Sequence, residues 1–458
     1  MNPAIARSFS EFVQRRRGWD HRAALAELER MQWEPAEAVE AVRMERLREL
    51  LRHCARNVPF YQDALRDAGL DPEQVRSAPD LRALPVVDKR SYRAGYERFF
   101  DRSGRHPHDA WVTSGSTGQP FAFRLDRRSI ATNTFAALAR GRRWWELDHG
   151  VREAMIWSGV RDVSSSLQGR VAAARRKLSW RLKNIVLIDI YNLDEAGVRD
   201  AYRRLVRFQP RLFRVISSGL YRFCVTLREL GLDGRALGAE AAIYTGEAFP
   251  PAQRRLVEEV LGCPTVCEYG CGELGIIAFQ CPTGGLHLSH ENMIFEFLHE
   301  GAPAAAGQPA ELVVTNLNNF AAPQIRYAVG DVVVPSDARC ACKRSMPLLE
   351  SVGGRSHDAI RTPAGGTVHG LFFTHLFDDL PEVHQFRIVQ ERLDRLRVDL
   401  VAAQPIDAAA LAFIRKSIRD ELGGADRVEV EVTQVADLPL NRGGKTDWIV
   451  SELPPEVP

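Results

Sequence analysis

Apolar and polar residues alternate with different periods in different parts of the chain. In residues 37–65 the apolar side chains recur at helical spacing, and the run is interrupted where Val58 precedes Pro59, because the residue before proline is pushed out of the helical region. From Val112 onward, short apolar runs alternate with amphipathic stretches. The runs predict strands at 154–157, 185–190, 213–217, 241–244, 265–268, 293–297 and 312–315, and the amphipathic stretches predict helices that include 194–208, 220–230 and 251–261. This alternation predicts an α/β fold.

The C-terminal part follows another pattern, which predicts a small β-β-α-β module. Its predicted elements are strands at 384–389 and 395–401, a helix at 408–422 that ends at Gly423-Gly424, and a strand at 428–432. We place the join near Gly353-Gly354, since glycine permits a sharp change of chain direction. The sequence therefore predicts two domains, residues 1–353 and 354–458.

Composition excludes several classes of protein. The 458 residues carry a formal net charge of +2, so nothing in the overall charge points to a nucleic-acid partner. The longest apolar runs, such as 185–190, are too short to span a bilayer, and residues 1–18 lack the apolar centre of a signal peptide. We expect a cytoplasmic protein without a membrane partner, and the sequence leaves room for a homodimer.

Residues 113–120 read Thr-Ser-Gly-Ser-Thr-Gly-Gln-Pro and follow a short strand-like run. Glycine lets backbone N–H groups approach an anion closely, and the hydroxyl groups add donors without bulk. The ending of a Walker A loop is absent. By composition alone, a phosphate-binding loop and a polar surface turn are about equally supported.

The same eight residues resemble the signature loop of the adenylate-forming superfamily, which includes acyl-CoA synthetases, adenylation domains and luciferases. Most members carry lysine after the proline, whereas Phe121 stands here, as is typical of the phenylacetate–CoA ligase-like, capsule-biosynthesis-related branch. Segments similar to further motifs of that branch follow in order, at 47–61, 84–89, 244–248, 269–273, 327–331, 354–360 and 443–445. The resemblance implies the ANL fold, with a large multi-subdomain adenylation domain followed by a small mobile α+β domain.

The resemblance also assigns an ATP site to specific positions. The implied ATP-binding residues are Thr113, Ser114, Gly115, Ser116, Thr117, Gly118, Gly246, Glu247, Ala248, Tyr269, Asp331 and Arg355. Tyr269 is implied to stack on adenine and Asp331 to hold the ribose hydroxyls. Without the resemblance, these two are as readily a strand-end aromatic residue and a turn aspartate that caps its own backbone.

Three further positions complete the implied machinery. Glu273 is implied to hold Mg²⁺ through its carboxylate, although a glutamate at a helix N-terminus is the ordinary alternative. Lys445 is implied to be the catalytic residue, because an ammonium group stabilises the charge that builds up at the α-phosphate; an exposed loop lysine is its alternative. His357 stands at the implied hinge, and Gly272 replaces a threonine that family members carry.

Cysteine and histidine residues predict a metal site. Cys281 and His287 are followed by Cys340 and Cys342, and three thiols with one imidazole suit tetrahedral Zn²⁺ in a closed, structural site. The one-residue gap in Cys-Ala-Cys is shorter than usual, so unrelated buried thiols are an equally open interpretation of the residues alone. Some members of the branch bind zinc with a similar set, and this favours the metal.

The resemblance implies a two-step reaction. An aryl or arylacetic acid is adenylated by ATP with release of pyrophosphate, and the acyl group passes to the thiol of coenzyme A. The implied cofactors are ATP, Mg²⁺ and structural Zn²⁺, with coenzyme A as co-substrate. Two alternatives stay open: a ligase with an amine or another acceptor in natural-product or polysaccharide biosynthesis, and a nucleotide-binding scaffold without catalysis.

Overall fold

A computed structural model describes residues 1–113, 121–157, 167–355, 359–378, 380, 382–402, 404–424, 428–439, 441 and 446–453. The chain forms two compact units. The first contains residues 1–153, 162–186 and 266–352, and the second contains residues 154–161, 187–265 and 353–458. No helix in the described ranges has the length and apolar character needed to cross a membrane.

The α-helices are α1 Pro3–Arg16, α2 Arg22–Met31, α3 Ala36–Asn57, α4 Pro59–Asp67, α5 Lys89–Ala94, α6 Arg127–Ser129, α7 Ala137–Arg143, α8 Leu167–Leu182, α9 Glu195–Phe208, α10 Ser217–Glu229, α11 Pro251–Leu261, α12 Gly370–Asp378 and α13 Ala408–Glu421. Short 3₁₀ turns cover Pro72–Gln74, Ala78–Ala83, Tyr96–Phe99 and Gly234–Leu237, and a π-helical stretch covers Ile130–Ala136. The break between α3 and α4 confirms the prediction from sequence, because Val58 is extended and Pro59 is the first residue of α4.

The strands are β1 His108–Thr113, β2 Phe121–Asp126, β3 Glu153–Trp157, β4 Ile185–Asp189, β5 Leu212–Ile216, β6 Ala241–Thr245, β7 Thr265–Cys271, β8 Gly275–Gln280, β9 Leu286–Leu288, β10 Met293–His299, β11 Ala302–Pro303, β12 Ala310–Asn316, β13 Tyr327–Ser336, β14 Leu348–Arg355, β15 Ala359–Arg361, β16 Thr367–His369, β17 Val383–Arg392, β18 Arg395–Ala402, β19 Glu429–Gln434 and β20 Ile449–Ser451. All the strands predicted from the apolar runs are present. The strands that were not predicted are β2, β8, β9, β11, β13, β14, β15, β16 and β20.

In the first unit, eight strands follow the order β11-β10-β12-β13-β14-β9-β8-β7, and β1 pairs with β2 in a separate antiparallel hairpin. Neighbouring strands such as β7 and β8 pair antiparallel. Their inner faces bury an apolar core that includes Tyr269, Leu274, Tyr327 and Val329. The helices α3 and α4 pack into a second core with β2. These two cores position the strands β7 and β13 and the start of α5, which carry the candidate site.

In the second unit, four strands follow the order β6-β5-β3-β4, and β5 pairs parallel with β6. The alternation of these strands with α9, α10 and α11 confirms the predicted α/β pattern. The C-terminal residues form a sheet of order β19-β18-β17-β20, in which β17 and β18 are antiparallel, and α13 packs on it. The predicted module is therefore present, with β20 and α12 in addition. The second unit joins residues 353–458 to 187–265, and the proposed domain boundary at 353/354 stays a prediction.

Candidate nucleotide site and metal cluster

Several residues predicted for the ATP site lie outside the described residues. These are the loop positions Ser114, Gly115, Ser116, Thr117 and Gly118, the hinge residue His357, and the catalytic candidate Lys445. Thr113 is the last residue of β1 and Arg355 is the last residue of β14. The structure therefore gives the secondary structure of these two residues. The roles of all nine residues therefore stay predictions.

A single strand-like pairing brings residues 85–89 to the sheet of the first unit. The N–H of Val87 donates to the carbonyl of Arg326 at 2.9 Å, and the N–H of Ala328 donates back to the carbonyl of Val87 at 2.8 Å. Asp88 then caps α5 by accepting the N–H of Ser91 at 2.7 Å. Because the pairing and the cap fix the chain on both sides, Lys89 begins its helix directly beside β13.

The ammonium group of Lys89 contacts the predicted magnesium ligand. Its Nζ lies 2.9 Å from Oε1 of Glu273, and the hydroxyl of Tyr327 donates to the same oxygen at 3.1 Å. The side chain of Glu273 is 1% exposed and that of Lys89 is 29% exposed. Burial raises the pKa of Glu273, but the charge and hydrogen bond of Lys89, together with the other hydrogen bonds that the carboxylate accepts, hold the pKa below its ordinary value. Glu273 is therefore a buried carboxylate with a solvent-accessible cation beside it.

Lys89 is a site residue that the sequence analysis did not assign. Its signals were its position in the motif at 84–89 and the rarity of lysine, since this chain has only six such residues, at 89, 177, 183, 343, 416 and 445. The ammonium group also lies 5.9 Å from the ring centre of Phe121, the first described residue after the predicted phosphate loop. Lys89 thus stands next to the position where most superfamily members carry their loop lysine.

Tyr269 and Asp331 are brought together in the first unit. The Tyr269 hydroxyl donates to Oδ2 of Asp331 at 2.8 Å, and both residues are buried. The motif glycine after Tyr269 has a steric reason, because a Cβ at Gly270 would lie 2.3 Å from the carbonyl oxygen of Gly275 in the paired strand β8. Tyr269 directly precedes this close contact between β7 and β8, so the hairpin holds its backbone in place.

In the second unit, the predicted adenine turn follows β6. Gly246 has φ +87°, a left-handed conformation that suits glycine, and Ala248 is half-buried. Glu247 uses both carboxylate oxygens: Oε2 accepts the N–H of Ser218 at 3.0 Å and Oε1 accepts the N–H of Thr446 at 2.7 Å. The sequence analysis gave no role to Ser218 or Thr446, since these contacts use backbone groups, which the sequence does not mark.

The predicted zinc ligands do converge in the first unit. The ligand atoms of Cys281, His287, Cys340 and Cys342 all lie within 4.8 Å of one another. Sγ of Cys281 is 3.6 Å from Sγ of Cys340, and Sγ of Cys342 is 3.2 Å from Nε2 of His287. Tetrahedral zinc with bonds of about 2.0–2.3 Å has ligand–ligand separations of roughly 3.3–3.8 Å. The spacing of the donor atoms therefore fits one tetrahedral ion.

The surroundings of these four ligands fit a metal as well. Nδ1 of His287 lies 3.3 Å from the carbonyl of Met346, which orients the ring with Nε2 toward the thiols. Burial lowers the pKa of His287 to about 4, so the imidazole is neutral, as a ligand must be. A Cβ at Gly285 would meet Sγ of Cys340 at 2.6 Å. The turn between β8 and β9 thus leaves room for the ligands only because this residue is glycine.

A second group of metal-capable side chains lies elsewhere in the first unit. It contains His53, Asp101 and His106, with Asp126 at 3.3 Å from Nδ1 of His106. Nε2 of His53 is 3.0 Å from the carbonyl of Phe320. Both oxygens of Asp101 accept hydrogen bonds from Ser103, and Asp126 caps α6. Because protein groups already engage these donor atoms, the second group is a polar network within the fold.

Comparisons with known proteins find similar sequences over most of the chain. The family model described as the CapK C-terminal domain matches residues 360–452. The phenylacetate-coenzyme A ligase of Escherichia coli (strain K12) is 26% identical over 342 residues, which cover 70% of this chain and 72% of that protein. Protein CapK of Staphylococcus aureus is 20% identical over 416 residues, with coverage of 89% and 88%.

A solved structure shares the fold over nearly the whole chain. The crystal structure of 2-hydroxyisobutyryl-CoA ligase, in the postadenylation state with its R3-HIB-AMP ligand, is 20% identical with a TM-score of 0.71, covering 92% of this chain and 91% of that one. The likeness confirms the ANL fold predicted from the sequence. The sequence relatives and the fold therefore agree, and both support the resemblance of this chain to the phenylacetate–coenzyme A ligase-like branch of the ANL adenylate-forming superfamily.

Proposed function

We propose that the protein is an AMP-forming acid–thiol ligase, which adenylates a carboxylic acid with ATP and transfers the acyl group to coenzyme A. The observation that carries this proposal is the ion pair of Glu273 and Lys89 beside Tyr327, in the sheet that also holds the Tyr269–Asp331 pair. A buried carboxylate and an accessible ammonium group at one place suit a ligand that carries both a divalent cation and phosphates.

The first half-reaction joins the acid to the nucleotide. A carboxylate oxygen of the acid forms a bond to the α-phosphorus of ATP, while the bond from that phosphorus to the bridging oxygen of pyrophosphate breaks. Negative charge builds up around the phosphorus in the transition state, and Lys445 and Lys89 supply positive charge to it. Asp331 accepts hydrogen bonds from the ribose hydroxyls, and the loop at 113–118 donates N–H and O–H groups to the departing phosphates.

The second half-reaction transfers the acyl group. The thiol of coenzyme A loses its proton to solvent as its sulfur forms a bond to the acyl carbon, and the carbon–oxygen bond to AMP breaks, so that AMP leaves. The residues near Arg355 and His357 provide the hinge at which residues 354–458 turn between the two steps. An arylacetic acid is the proposed substrate class, because several curated relatives are named phenylacetate-coenzyme A ligase.

A second candidate function keeps adenylation but changes the acceptor. The family model that matches the C-terminal residues is that of CapK, and a protein of that name covers more of this chain than the Escherichia coli ligase does. The C-terminal part closes over the acceptor in this mechanism. An amine or hydroxyl group of a saccharide or natural-product precursor is therefore the alternative acceptor to coenzyme A.

Two metals belong to the proposal. Glu273 would hold Mg²⁺ with the triphosphate, where the ion neutralises phosphate charge. The four ligands Cys281, His287, Cys340 and Cys342 would hold structural Zn²⁺, because four protein donors leave no open position for substrate. This ion would tie the turn after β8 to the segment that leads into β14.

The test is an acid-dependent pyrophosphate-exchange assay with phenylacetate and a panel of aromatic, aliphatic and amino acids. Each active acid is then incubated with and without coenzyme A, and the product mass is measured. We expect Lys445→Ala to lower exchange by roughly a hundredfold or more without unfolding, the size expected for loss of one transition-state contact.

Lys416→Ala is the matched control, because Lys416 is an exposed lysine of α13 that pairs only with nearby Asp420 among its contacts in the described residues. Full exchange activity in Lys445→Ala would remove that residue from its proposed role. Absence of exchange with every acid, in protein that binds ATP, would favour a non-catalytic scaffold.

A further inference from the structure

We propose that Gln324 is a positioning residue for adenylation, whose buried side-chain amide holds the turn that carries Glu273. The inference rests on the proposed function and deepens it, since Glu273 is the proposed magnesium ligand. Gln324 lies three residues before β13 in the first unit and is 3% exposed. Its Nε2 donates to the backbone carbonyl of Glu273 at 3.0 Å. The amide therefore contacts the main chain of the proposed ligand residue rather than its carboxylate.

One short segment contacts Glu273 at two points. Gln324 donates to its backbone carbonyl, and the hydroxyl of Tyr327, three residues later, donates to Oε1 of its carboxylate at 3.1 Å. Between these two residues, Arg326 makes two parallel hydrogen bonds of 3.0 Å to the carboxylate of Glu296 in β10. The main chain and the side chain of Glu273 are therefore held from one segment, and that segment is itself fixed to the sheet of the first unit.

The orientation of the Gln324 amide follows from its other partners. Its Oε1 accepts from Nδ2 of Asn316 at 3.1 Å and from Nδ2 of Asn319 at 3.2 Å. Oδ1 of Asn316 accepts the N–H of Asn318 at 3.0 Å, which fixes the first of these amides. Oδ1 of Asn319 accepts the N–H of Asp126 at 2.9 Å, which fixes the second. The Oε1 atom of Gln324 must therefore face these two NH₂ groups, and its own NH₂ group is left to donate to the turn.

A π-helical stretch contacts the same turn. Asn133 lies in the middle of Ile130–Ala136, and its Nδ2 donates to Oδ1 of Asn316 at 2.9 Å. A Cβ at Gly275, in the turn, would lie 2.6 Å from the carbonyl oxygen of Asn133. π-Helical turns are rare and are frequently found at functional sites. Both Gln324 and this stretch therefore contact the turn, and the buried amide of Asn316 connects them.

A neutral amide suits this position better than a charged group. A carboxylate at position 324 would compete with Glu273 for a divalent cation, and an ammonium or guanidinium group would repel that cation. An amide supplies a donor for the turn and an acceptor for the two asparagines without adding charge. Gln324 therefore holds the turn without changing the charge that the cation meets.

The first measurement is amide hydrogen exchange of the peptide that contains residues 272–276, in protein without ligands. Gln324→Met keeps a long unbranched side chain but removes the amide. The fold should tolerate this change, because Nδ2 of Asn316 and Nδ2 of Asn319 each keep a second acceptor, at 3.3 and 2.7 Å. We expect exchange in this peptide to become about fivefold faster, the size expected for one hydrogen bond. Unchanged exchange would overturn the inference.

Gln32→Met is the matched control, because Gln32 lies in the first unit, is 6% exposed and has the same pattern of contacts. Its Oε1 accepts from Trp144 at 2.8 Å and from Arg344 at 3.1 Å, and its Nε2 donates to the carbonyl of Glu29 at 3.0 Å. We expect Gln32→Met to leave exchange at 272–276 unchanged. Faster exchange of this peptide in both variants would mean a general loosening of the fold and would contradict the inference. If Gln324→Met does not fold, the shorter pair Gln324→Asn and Gln32→Asn takes its place.

The second measurement uses Mn²⁺ as a probe of the proposed magnesium site. We expect Gln324→Met to raise the Kd for the Mn²⁺ complex of a non-hydrolysable ATP analogue about tenfold, with the Kd of the metal-free analogue unchanged. An unchanged Kd for the Mn²⁺ complex would overturn the inference. In Glu273→Gln protein, Gln324→Met should cause no further loss, because residues that act through one carboxylate are not additive. Additive losses would contradict the inference.

The kinetics of adenylation separate positioning from a loss of folded protein. With phenylacetate as substrate, we expect Gln324→Met to raise the KM for Mg²⁺ about tenfold and to leave the KM for phenylacetate unchanged. A fall in kcat at constant KM for Mg²⁺ indicates a smaller folded fraction and would overturn the inference. If wild-type protein neither binds the Mn²⁺ complex nor adenylates any acid of the panel, the proposed function fails, and hydrogen exchange at 272–276 still decides whether Gln324 holds the turn.

Discussion

The two groups of metal-capable side chains in the first unit differ in how their donor atoms are already engaged. Around Cys281, the sulfur atoms and Nε2 of His287 face one another, and the hydroxyl of Thr283 is the neighbour of two of the sulfurs. Around His53, the ring nitrogen faces a backbone carbonyl, and the carboxylates of Asp101 and Asp126 accept from nearby N–H and hydroxyl groups. Proximity of suitable residue types is thus insufficient for a metal site, since the lone pairs must also be free to point at one place.

The difference has a local cause in the chain. Asp101 and Asp126 each lie two residues before a backbone N–H that they accept, which is the ordinary behaviour of aspartate at turns and helix starts. Thiols are weak hydrogen-bond partners, so the contacts of Cys281 and Cys340 with the hydroxyl of Thr283 are more easily exchanged for a metal. A set of thiols therefore keeps its lone pairs more available to a metal, whereas a set of carboxylates tends to be used by its own loops.

The strongest test of this contrast removes one thiol. Wild-type protein should contain about one zinc per chain, and Cys342→Ser should contain almost none. We expect the free energy of unfolding to fall by several kcal/mol, on the order of the loss of a structural metal ligand. Metal analysis and thermal unfolding measure both effects. His53→Asn is the control from the other group and should keep its zinc; freshly purified wild-type protein without zinc would contradict the metal site.

A smaller effect should follow from crowding the ligands rather than removing one. In Gly285→Ala the new methyl group would press on Sγ of Cys340. We expect zinc to pass to a chelator about tenfold faster, equivalent to about 1.4 kcal/mol. Gly366→Ala serves as the control, since a Cβ there meets only Thr362 at an ordinary distance. Equal release rates in the two variants would show that the turn after β8 does not shape the site.

The second group should respond as a polar network and not as a metal site. Asp101→Asn keeps the size of the side chain but removes one of the acceptors used by Ser103. We expect a loss of about 1 kcal/mol in the free energy of unfolding, typical of one hydrogen bond, with zinc content unchanged. Denaturant titration and metal analysis give the two values. A drop in bound metal would mean that this group holds an ion after all.

The smallest effect concerns pH. Burial lowers the pKa of His53, so between its folded pKa and its unfolded pKa of about 6.5 the unfolded chain binds more protons. Stability contributed by His53 is therefore present at pH 7 and is lost as the pH falls. Burial raises the pKa of neighbouring Asp126, which has the opposite effect at lower pH. Unfolding measured from pH 7.5 to 5.5 should show a shallower decline in His53→Asn than in wild type, and identical slopes would contradict the assignment.

Much of this architecture could be predicted from the sequence, because period and motif are local signals. The strands at 212–216 and 241–245 follow apolar runs, and the four zinc ligands are recognisable by residue type. Lys89 was missed, since its role depends on a pairing between residues far apart in the chain. The same holds for the contacts of Glu247 with the N–H groups of Ser218 and Thr446, since every residue other than proline offers such a group. The motif at 84–89 and the rarity of lysine pointed to Lys89 only as a position of interest, whereas its partner Glu273 is set by the long-range pairing.

The pairing of residues 85–89 with β13 also determines when this part of the protein can fold during synthesis. The guanidinium group of Arg326 donates to the carbonyl of Leu84, across a separation of 242 residues. A growing chain therefore cannot place Lys89 beside Glu273 until β13 has left the ribosome. Until then the N-terminal helices lack the β13 partner for their buried surface. The assembly of this site is therefore a late event in the folding of the first unit.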